Sequence, residues 1–344
     1  MMNTCFSDYT LCYALLSALI SFMITYTVLP LWIKRAQEIG FTGKDMNKPY
    51  MVQVAEAGGV WVSISVAFGI LFFIALEIYI GGLHKYIVEL MALSLLLFLS
   101  SFLGFLDDIL GWKKGLRVIY RIVLMAPLAI PMMVIKAGHS TMNIPFIGVV
   151  DFGLAYPLIL VPIGVLGAAN AFNMIAGYNG LEASMGLQLM LFTSIYTYIN
   201  NVHPSFEASL IMLAAITAFL IYNWYPAKIF PGNSFTYGLG AYYASLVILG
   251  NFEKYGLMLF TLYFIELILF IRGLINGVYK ENYGKVRNDG TLEPPYDKIY
   301  SVTHLAIKIQ LFIRGKATEK GVVIVLNIIQ FFIGLLSLIL INII

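Results

Sequence analysis

Charged residues are scarce in this chain, and so are the residue types that build disulfide and metal frameworks. Only 11% of the 344 residues are charged, 60% are hydrophobic, and there are two cysteines and four histidines. On a helix, the spacing of Cys5 and Cys12 corresponds to about 10 Å, so they cannot form a disulfide with each other. The histidines show no metal-ligand spacing. The net charge of +3 is not gathered into a dense basic stripe, which argues against a nucleic-acid-binding protein.

Long apolar runs recur from one end of the chain to the other. A helix needs about 20 apolar residues to cross a bilayer, and continuous runs, as opposed to alternating ones, favour helices over a membrane barrel. We therefore predict an all-α polytopic membrane protein with about ten transmembrane helices in a single domain, residues 1–344. The eighth span is short, so nine or eleven spans are alternatives. The predicted spans are 11–32, 58–80, 86–106, 116–134, 153–173, 180–199, 206–223, 236–250, 256–276 and 321–341.

The basic residues predict the orientation of these spans. Fifteen of the 21 Lys and Arg residues lie in odd-numbered connections between spans and three in even-numbered ones. Because cytoplasmic connections carry the excess of positive charge, we expect both termini outside. The first span is too long for a typical signal-peptide core and is interpreted as a retained helix. The ninth connection, 277–320, is the long cytoplasmic one, and Asn288-Asp289-Gly290 predicts a small β-hairpin within it.

Five polar segments interrupt the apolar pattern, and the predicted topology places all of them on the cytoplasmic face. Segments that are far apart in sequence but share one face suggest a common site. They are GKDMNKPYMVQVAEAGGV (43–60), FLGFLDDILGW (102–112), NAFNMIAGYNGLEAS (170–184), IFPGNSFTYG (229–238) and YGKVRNDGTLEPPYDK (283–298).

The adjacent carboxylates Asp107 and Asp108 stand at the end of a predicted span. A carboxylate at the bilayer centre costs about 2.5 to 3.5 kcal/mol, and a position at a helix end avoids most of that cost. One interpretation is an interfacial pair offset by Lys113 and Lys114. The other is a cation-binding or phosphate-related pair, since neighbouring carboxylates repel each other unless a partner keeps both ionised.

The asparagines allow two interpretations as well. Asn170 and Asn173 share a helix face and could form interhelical hydrogen bonds or offer amide oxygens to a metal ion. Asn179-Gly180 predicts a turn. Asn233 follows Pro231 and Gly232 at a helix start, where it could be an N-cap or part of an anion-binding N-terminus.

The remaining charged residues also allow a structural and a functional interpretation. Lys285 and Arg287 flank the predicted hairpin turn and are either part of the positive-inside pattern or contacts to a polyanion. Glu89, Glu207 and Glu266 lie in or near spans, and they either pair across helices or serve a transport path.

The segments GKDMNK, AEAGGV, FLGFLDDILGW, NAFNMIAGYNGLEAS and NWYPAKIFPGNSF resemble, in the same order, the polyprenyl-phosphate N-acetylhexosamine-1-phosphate transferases, especially the UDP-GlcNAc:dolichyl-phosphate branch. NAFNMIAGYNGLEA and the NWYP that leads to FPG carry the resemblance most specifically. The bacterial phospho-MurNAc-pentapeptide translocases usually have an aspartate-rich third motif and a histidine cluster in the ninth connection. Neither occurs in this sequence.

The resemblance implies a ten-helix enzyme with both termini outside. Such an enzyme transfers GlcNAc-1-phosphate from UDP-GlcNAc to dolichyl or polyprenyl phosphate, releases UMP, and needs Mg²⁺, with Mn²⁺ as an alternative ion. It implies metal ligands at Asn173 and Asn233 and a reaction centre around Asp107, Asp108 and Lys114. Phe230 would stack on uracil, and either Lys285 or Arg287 would hold the donor pyrophosphate. The implied substrate-binding residues are Lys44, Met46, Asn47, Glu56, Asn170, Gly177, Asn179, Phe230, Lys285 and Arg287.

One position departs from the family pattern. The family has aspartate in FxGD, where this chain reads FPGN with Asn233. An amide keeps an oxygen donor but loses a negative charge. Either Asp107 or Asp108 compensates, the enzyme tolerates weaker metal binding, or activity is lost; we expect retained activity.

Other functional classes stay open at this point. They are the same fold with another UDP-N-acetylhexosamine donor, a lipid or nucleotide-sugar transporter, and a catalytically silent homologue. The short loops favour an archaeal or prokaryotic cell membrane over the endoplasmic reticulum. Membrane lipid is an expected partner, and a homodimer is compatible with the sequence.

Overall fold

The computed structural model describes residues 8–82, 84–110, 124–144 and 148–341, which form a helical bundle. A short 3₁₀ turn, Ala126–Ala129, and a π-helical turn, Tyr156–Leu160, precede two of the helices. The α-helices of these residues are α1 (Asp8–Glu38), α2 (Gly58–Tyr79), α3 (Ile87–Leu110), α4 (Ile130–Val134), α5 (Val161–Met174), α6 (Leu181–Ile199), α7 (Ser205–Asn223), α8 (Gly232–Leu249), α9 (Glu253–Leu259), α10 (Thr261–Ile275), α11 (Val302–Arg314) and α12 (Glu319–Leu340).

The long helices confirm a multi-pass membrane protein. Within the described residues, six helices are long and apolar enough to cross a bilayer, and the pair α9 and α10, bent by 60°, would make a seventh. Helices occupy nine of the ten predicted spans. The remaining span, 116–134, lies largely outside the described residues, so the structure leaves the number ten as a prediction.

The short eighth span corresponds to α8, which lies at the centre of the bundle. Its residues from Ser234 to Ile248 are all buried, and α8 packs against α2, α3 and α5. Tyr237 and Tyr242 are among the largest fully buried side chains. Since protein surrounds α8, its span need not carry the apolar length of a lipid-facing helix.

Two glycines let neighbouring helices approach the first turn of α8. A Cβ added at Gly104 of α3 would lie 2.3 Å from the carbonyl oxygen of Asn233 and 2.5 Å from the Ser234 nitrogen. A Cβ added at Gly59 of α2 would lie 2.2 Å from the Phe235 nitrogen. These backbone contacts are closer than any larger residue allows, so α2, α3 and α8 meet at a fixed point.

Three small antiparallel strand pairs lie in the connections. β1 (Thr42–Lys44) pairs with β2 (Gln53–Ala55), and β3 (Thr141–Ile144) pairs with β4 (Gly148–Asp151). β5 (Lys285–Val286) pairs with β6 (Leu292–Glu293), which confirms the predicted hairpin.

Four connections meet at one end of the bundle. We call them the first loop (39–57), the fifth loop (175–180), the seventh loop (224–231) and the ninth loop (276–318). Ala55 of the first loop forms a parallel bridge with Ile229 of the seventh. Asn47 of the first loop and Asn282 of the ninth loop donate hydrogen bonds to backbone carbonyl groups of the fifth loop. Loops distant in sequence therefore form one layer over the helix ends.

Two carboxylates inside the bundle, Glu266 and Glu207, pair with nearby groups. Glu266 forms a buried ion pair with Lys280 and accepts hydrogen bonds from the Ser301 hydroxyl at 3.0 Å and the Val302 backbone N–H at 2.8 Å. Glu207 pairs with His203. Of the two interpretations, the contacts of Glu266 and Glu207 support pairing, which joins α10 to the ninth loop at Glu266 and is local, four residues apart, at Glu207.

We expect Gly104→Ala to destabilise the protein, because the new methyl group would meet the backbone of α8. Overpacking of this kind costs about 1 to 3 kcal/mol. The matched control is Gly167→Ala in α5, where an added Cβ meets nothing within 4 Å and alanine is the better helix former. Thermal unfolding in detergent should show a lower melting temperature for the first variant only. An unchanged melting temperature for Gly104→Ala would contradict the close packing.

Candidate active site

The first turn of α8 is capped by a side chain from another helix. The Asp108 carboxylate, in the last turn of α3, accepts a hydrogen bond from the Asn233 backbone N–H at 2.7 Å and another from the Ser234 backbone N–H at 3.1 Å. The first N–H groups of a helix lack partners within the helix, and a carboxylate is favoured at the positive end of the helix dipole. Pro231 occupies the N-cap position and makes no side-chain cap. The interpretation of Asn233 as an N-cap is therefore wrong. Asn233 lies inside α8, which begins at Gly232, and Asp108 supplies the acceptor.

The side chain of Asn233 links two other predicted site residues. Its Nδ2 donates to Asp107 Oδ2 at 2.9 Å, and its Oδ1 accepts from Asn173 Nδ2 at 2.6 Å. Asn173 Nδ2 also donates to the Thr236 hydroxyl at 2.8 Å, and the Tyr237 hydroxyl donates to Asp107 Oδ2 at 3.0 Å. We call Asp107, Asn233 and Asn173 the amide–carboxylate chain. The structure thus brings into contact residues that are up to 130 positions apart in the sequence.

Glu56 and Phe230 lie side by side at the edge of the amide–carboxylate chain. The Phe230 backbone N–H donates to the Ala55 carbonyl at 2.7 Å, and the Gly58 N–H donates to the Phe230 carbonyl at 2.9 Å, so the first and seventh loops run together. A Cβ added at Gly43 would lie 1.9 Å from Glu56 Oε1 and 3.3 Å from Phe230 Cδ2. The carboxyl group and the ring therefore cover the same glycine.

Burial sets the charge state of Glu56. It raises the pKa of Glu56 to about 8, and the negative charge of Asp108 adds to the effect. Glu56 is then mostly protonated near neutral pH and can donate as well as accept a hydrogen bond.

The fifth loop is held by the first loop and by the start of α12. Asn47 Nδ2 donates to the Gly177 carbonyl at 2.8 Å, and Asn179 Nδ2 donates to Asp45 Oδ2 at 3.0 Å. The Asn179 backbone N–H donates to Glu319 Oε1 at 3.1 Å. Since Asn47 and Asn179 are both buried, these contacts fix the loop that follows Asn173.

Two further charges complete this contact region. The Gly177 backbone N–H donates to Glu182 Oε1 at 3.0 Å. Lys48 forms ion pairs with Glu319 and, at 3.0 Å, with Asp45, so its charge is shared between two carboxylates.

The ninth loop closes over the fifth loop from the other side. Asn282 Nδ2 donates to the Met174 carbonyl at 2.9 Å and to the Ala176 carbonyl at 2.6 Å. Gly177 has a φ of 135°, and a Cβ there would lie 2.9 Å from Tyr283 Cε1. Glycine at 177 thus permits both the backbone conformation and the contact with the Tyr283 ring.

Some predicted substrate-binding residues lie apart from these contacts. Lys44 and Lys285 are exposed, and Arg287 is exposed and paired with Glu293 on the hairpin. Asn170 Nδ2 donates to the Leu166 carbonyl within its own helix at 2.9 Å and approaches the Met125 sulfur at 3.4 Å. Met46 is half-buried in the first loop. Lys114 lies outside the described residues.

Several contributors were missed in the sequence analysis. Tyr237 lies one helical turn after Asn233, so its reach to Asp107 could have been found once α8 was recognised. Asp45 stands inside the quoted first segment. Glu319 and Asn282 carry no local signal, because only the packing of α12 and of the ninth loop brings them to the fifth loop.

The described site holds more acidic than basic groups. Asp45, Asp107, Asp108 and Glu182 lie within it beside the mostly protonated Glu56, and Lys48 is already paired. Within the described residues, no group of three or more His, Cys, Asp and Glu side chains is arranged to hold a metal ion. Amide oxygens plus one carboxylate, as found in the amide–carboxylate chain, suit a hard cation such as Mg²⁺ whose other ligands come from phosphate and water.

Comparison with known proteins gives a consistent result. Residues 90–251 match the family model described as glycosyl transferase family 4. A Saccharolobus solfataricus protein, provisionally named a UDP-N-acetylglucosamine–dolichyl-phosphate N-acetylglucosaminephosphotransferase, is 36% identical over 315 residues, which cover 91% of this chain and 92% of that protein. A Sulfolobus acidocaldarius protein with the same provisional name is 32% identical over 94% of this chain and 95% of its own. The Dictyostelium discoideum enzyme of that name is 25% identical over 90% and 83%.

The raised pKa of Glu56 predicts a pH-dependent stability. Because the folded protein holds this proton more tightly than the unfolded chain does, stability falls as the pH rises from about 4.5 towards about 8. Glu56→Gln imitates the protonated form at every pH. We expect its melting temperature to exceed that of the wild type by a margin that grows between pH 5 and pH 8.

The exposed Glu38 provides the control for this measurement. Glu38→Gln should follow the wild type over the same pH range. A margin for Glu56→Gln that is constant with pH would show that Glu56 is ionised throughout.

Proposed function

The chain belongs to glycosyl transferase family 4, and from this premise we propose that it transfers GlcNAc-1-phosphate from UDP-GlcNAc to dolichyl phosphate or a related polyprenyl phosphate. UMP leaves, and GlcNAc-diphosphate-lipid is formed, the first lipid-linked step in assembling an N-glycan type of sugar chain. The two archaeal relatives described above carry this name provisionally and align over more than nine-tenths of the chain. The observation that carries the proposal is the contact of Asn173, Asn233 and Asp107, since three separate motifs of the family meet there.

The proposed reaction forms one P–O bond and breaks another. An oxygen of the lipid phosphate attacks the phosphorus that bears the sugar, and the bridging oxygen leaves with UMP. A phosphate monoester has a second pKa near 6, so the acceptor is mostly dianionic at neutral pH and needs little help from a base. The difficulty is the approach of one anion to another, which makes positioning and charge stabilisation the main tasks of the protein.

The contacts of Asp108 favour a positioning role. Both of its carboxylate oxygens accept backbone N–H groups of α8, so Asp108 holds the helix that carries Asn233. Proton transfer by Asp107 or Asp108 is the second alternative for this pair.

We propose that Mg²⁺, with Mn²⁺ as an alternative, binds at the amide–carboxylate chain. The residues fit this ion, because Asn173 and Asn233 offer amide oxygens and Asp107 supplies a negative charge next to them. When bound, the ion would neutralise charge on the donor diphosphate. The acidic character of the described site supports the same proposal, since an anionic donor needs a cation to enter it.

The uridine is proposed to contact the first and fifth loops. Phe230 would stack on uracil, and Glu56, Gly177 and Asn179 would contact the nucleoside, with Asn47 supporting Gly177. For the donor diphosphate we favour Lys285 over Arg287, because Arg287 is bound to Glu293 and Lys285 has no ion-pair partner among the described residues. The roles of Lys44, Met46, Asn170 and Lys114 stay predictions.

The active-site end is proposed to face the cytoplasm of an archaeal or prokaryotic cell, with ten spans and both termini outside. The excess of Lys and Arg in the odd-numbered connections supports this orientation. The four loops that meet at one end of the bundle are all odd-numbered.

A transfer assay tests the function. Purified protein with radiolabelled UDP-GlcNAc, a long-chain polyprenyl phosphate and Mg²⁺ should move label into lipid and release one UMP per transfer. Asn173→Ala should lower kcat by about 10²- to 10³-fold, the usual cost of losing one charge-stabilising group. Asn200→Ala, an exposed asparagine at the opposite end of α6, is the control and should stay within a few-fold of the wild type.

The outcome that overturns the function is equally direct. If no label enters lipid with Mg²⁺, Mn²⁺ or Co²⁺, the chain does not catalyse this transfer. A panel of UDP-sugars in the same assay identifies the donor, and transfer from UDP-GalNAc alone would replace GlcNAc in the proposal.

Thiol labelling in intact cells tests the orientation. In a background without Cys5 and Cys12, single cysteines are placed at Asn288 in the ninth loop and at Val149 in the β3–β4 hairpin, both exposed. A membrane-impermeant maleimide should label Val149→Cys in intact cells and Asn288→Cys only after lysis. The reverse pattern would invert the proposed orientation.

A further inference from the structure

A neutral side chain stands at the position where the family pattern has a carboxylate. Asn233 can bind a cation through its amide oxygen, but it brings no negative charge to the site. The contacts of Asn233 indicate that a neighbouring carboxylate, Asp107, supplies the negative charge.

The Asn233 amide is held at both ends. Its nitrogen donates to Asp107 at 2.9 Å, and its oxygen faces Asn173. A carboxylate cannot donate a hydrogen bond, so only an amide at 233 can bond to an ionised Asp107 in this way. The bond to Asp107 therefore fixes which end of the Asn233 amide faces Asn173.

Asp108 is not available for the same role. Its two oxygens bind the backbone N–H groups of Asn233 and Ser234. Moving Asp108 towards a cation would leave the start of a buried helix without its acceptor.

We propose that Asp107 is a positioning residue that acts on the divalent cation through Asn233. It binds the amide nitrogen, directs the amide oxygen towards the cation position beside Asn173, and supplies the charge that residue 233 lacks. This inference rests on the proposed function, because it takes the cation to be the one that serves the transfer.

The arrangement follows the usual chemistry of metal sites. Groups that hydrogen-bond to a ligand orient it and raise its donor strength, and their loss typically costs 10- to 100-fold in metal affinity. Opposite charges within about 4–6 Å still stabilise each other, so a carboxylate one amide group away contributes to binding. Tyr237 holds the same oxygen of Asp107 at 3.0 Å and keeps it facing Asn233.

Asn173 needs one local change to join a cation site. Its Nδ2 now donates to Asn233 Oδ1 and to the Thr236 hydroxyl. A half-turn of the Asn173 amide presents its oxygen instead, and the Thr236 hydroxyl can donate to that oxygen. No backbone movement is required.

Mn²⁺ binding, measured by electron paramagnetic resonance on purified protein without substrates, tests the proposal through a double-mutant cycle. Asp107→Asn should raise the Mn²⁺ Kd by about 10- to 100-fold. In an Asn233→Ala background, the same change should have a clearly smaller effect, of no more than about threefold, because the bond that orients the amide is gone and only the charge of Asp107 still acts on the cation. An equal loss in both backgrounds would make Asp107 a direct ligand, and an unchanged Kd for Asp107→Asn would remove it from the site; either result overturns the proposal.

A charge exchange gives a second test that also works if Asn233→Ala binds Mn²⁺ too weakly to measure. The double variant Asp107→Asn with Asn233→Asp exchanges the carboxylate and the amide between the two hydrogen-bonded positions. The hydrogen bond is kept, but residue 107 now donates it. Its Mn²⁺ Kd should be no weaker than that of the wild type. A Kd as weak as that of Asp107→Asn alone would overturn the proposal.

The single variant Asn233→Asp places two carboxylates in contact, which repel each other unless a cation or a proton lies between them. We expect its melting temperature to fall below that of the wild type in EDTA and to rise more steeply with added Mg²⁺. If Mg²⁺ raises the two melting temperatures equally, the charge at this position does not act on the cation.

Asp108→Asn is the matched control. It should lower the melting temperature, because the cap on α8 weakens, but change the Mn²⁺ Kd by less than about threefold, a smaller change than the 10- to 100-fold expected for Asp107→Asn. A loss of Mn²⁺ affinity as large as that of Asp107→Asn would mean that the whole pair, and not Asp107 through Asn233, sets the affinity.

The cycle is read without UDP-GlcNAc or lipid, so it is separate from turnover. Coupled Mn²⁺ affinities in a protein that transfers no label would count against the proposed function and leave the cation site in place. If transfer persists but the Mn²⁺ affinities are uncoupled, the proposed function stands and the proposed role of Asp107 is overturned.

Discussion

The bond between the Asp108 carboxylate and the start of α8 is the interaction on which the rest of the site depends. A helix that begins inside a bundle has backbone N–H groups that neither water nor the helix itself can satisfy. Here α3 provides the acceptor, and Gly104 allows α3 to come close enough to do so. The same contact sets Asp107 beside the side chain of Asn233, so the structural bond and the proposed cation site are built from adjacent residues.

The second half of the site is made of loops that hold one another. The fifth loop lies between the first and ninth loops, and its carbonyl groups accept from Asn47 and Asn282. Glu319 at the start of α12 binds the Asn179 backbone N–H. These are hydrogen bonds between side chains and backbone, whereas the helix side of the site adds close backbone packing at Gly59 and Gly104 to such bonds. A substrate that enters between the loops would meet side chains, which can change their hydrogen bonds more easily than packed backbone can move.

Sequence reasoning succeeded where the signal is local or compositional. Apolar runs predicted helices at nine spans because the bilayer demands length and hydropathy, and Asn288-Asp289-Gly290 predicted the hairpin because few residues accept its turn. The convergence of the Asp107, Asn173 and Asn233 segments also followed, since positive charges indicate which helix ends share a face. The partners of those residues could not be predicted. That Asp108 caps α8, that Arg287 binds Glu293 and that Glu319 reaches Asn179 are consequences of how helices and loops pack, and no spacing along the chain encodes them.

The backbone of residue 233 is held independently of its side chain. Its N–H is bound by Asp108, and its carbonyl oxygen lies against Gly104. Aspartate and asparagine have nearly the same shape, so exchanging one for the other leaves this backbone in place and alters only charge and hydrogen-bond direction. In evolutionary terms, position 233 is a place where a lineage can change the affinity for the proposed cation without rebuilding the fold, provided that the residue at 107 changes with it.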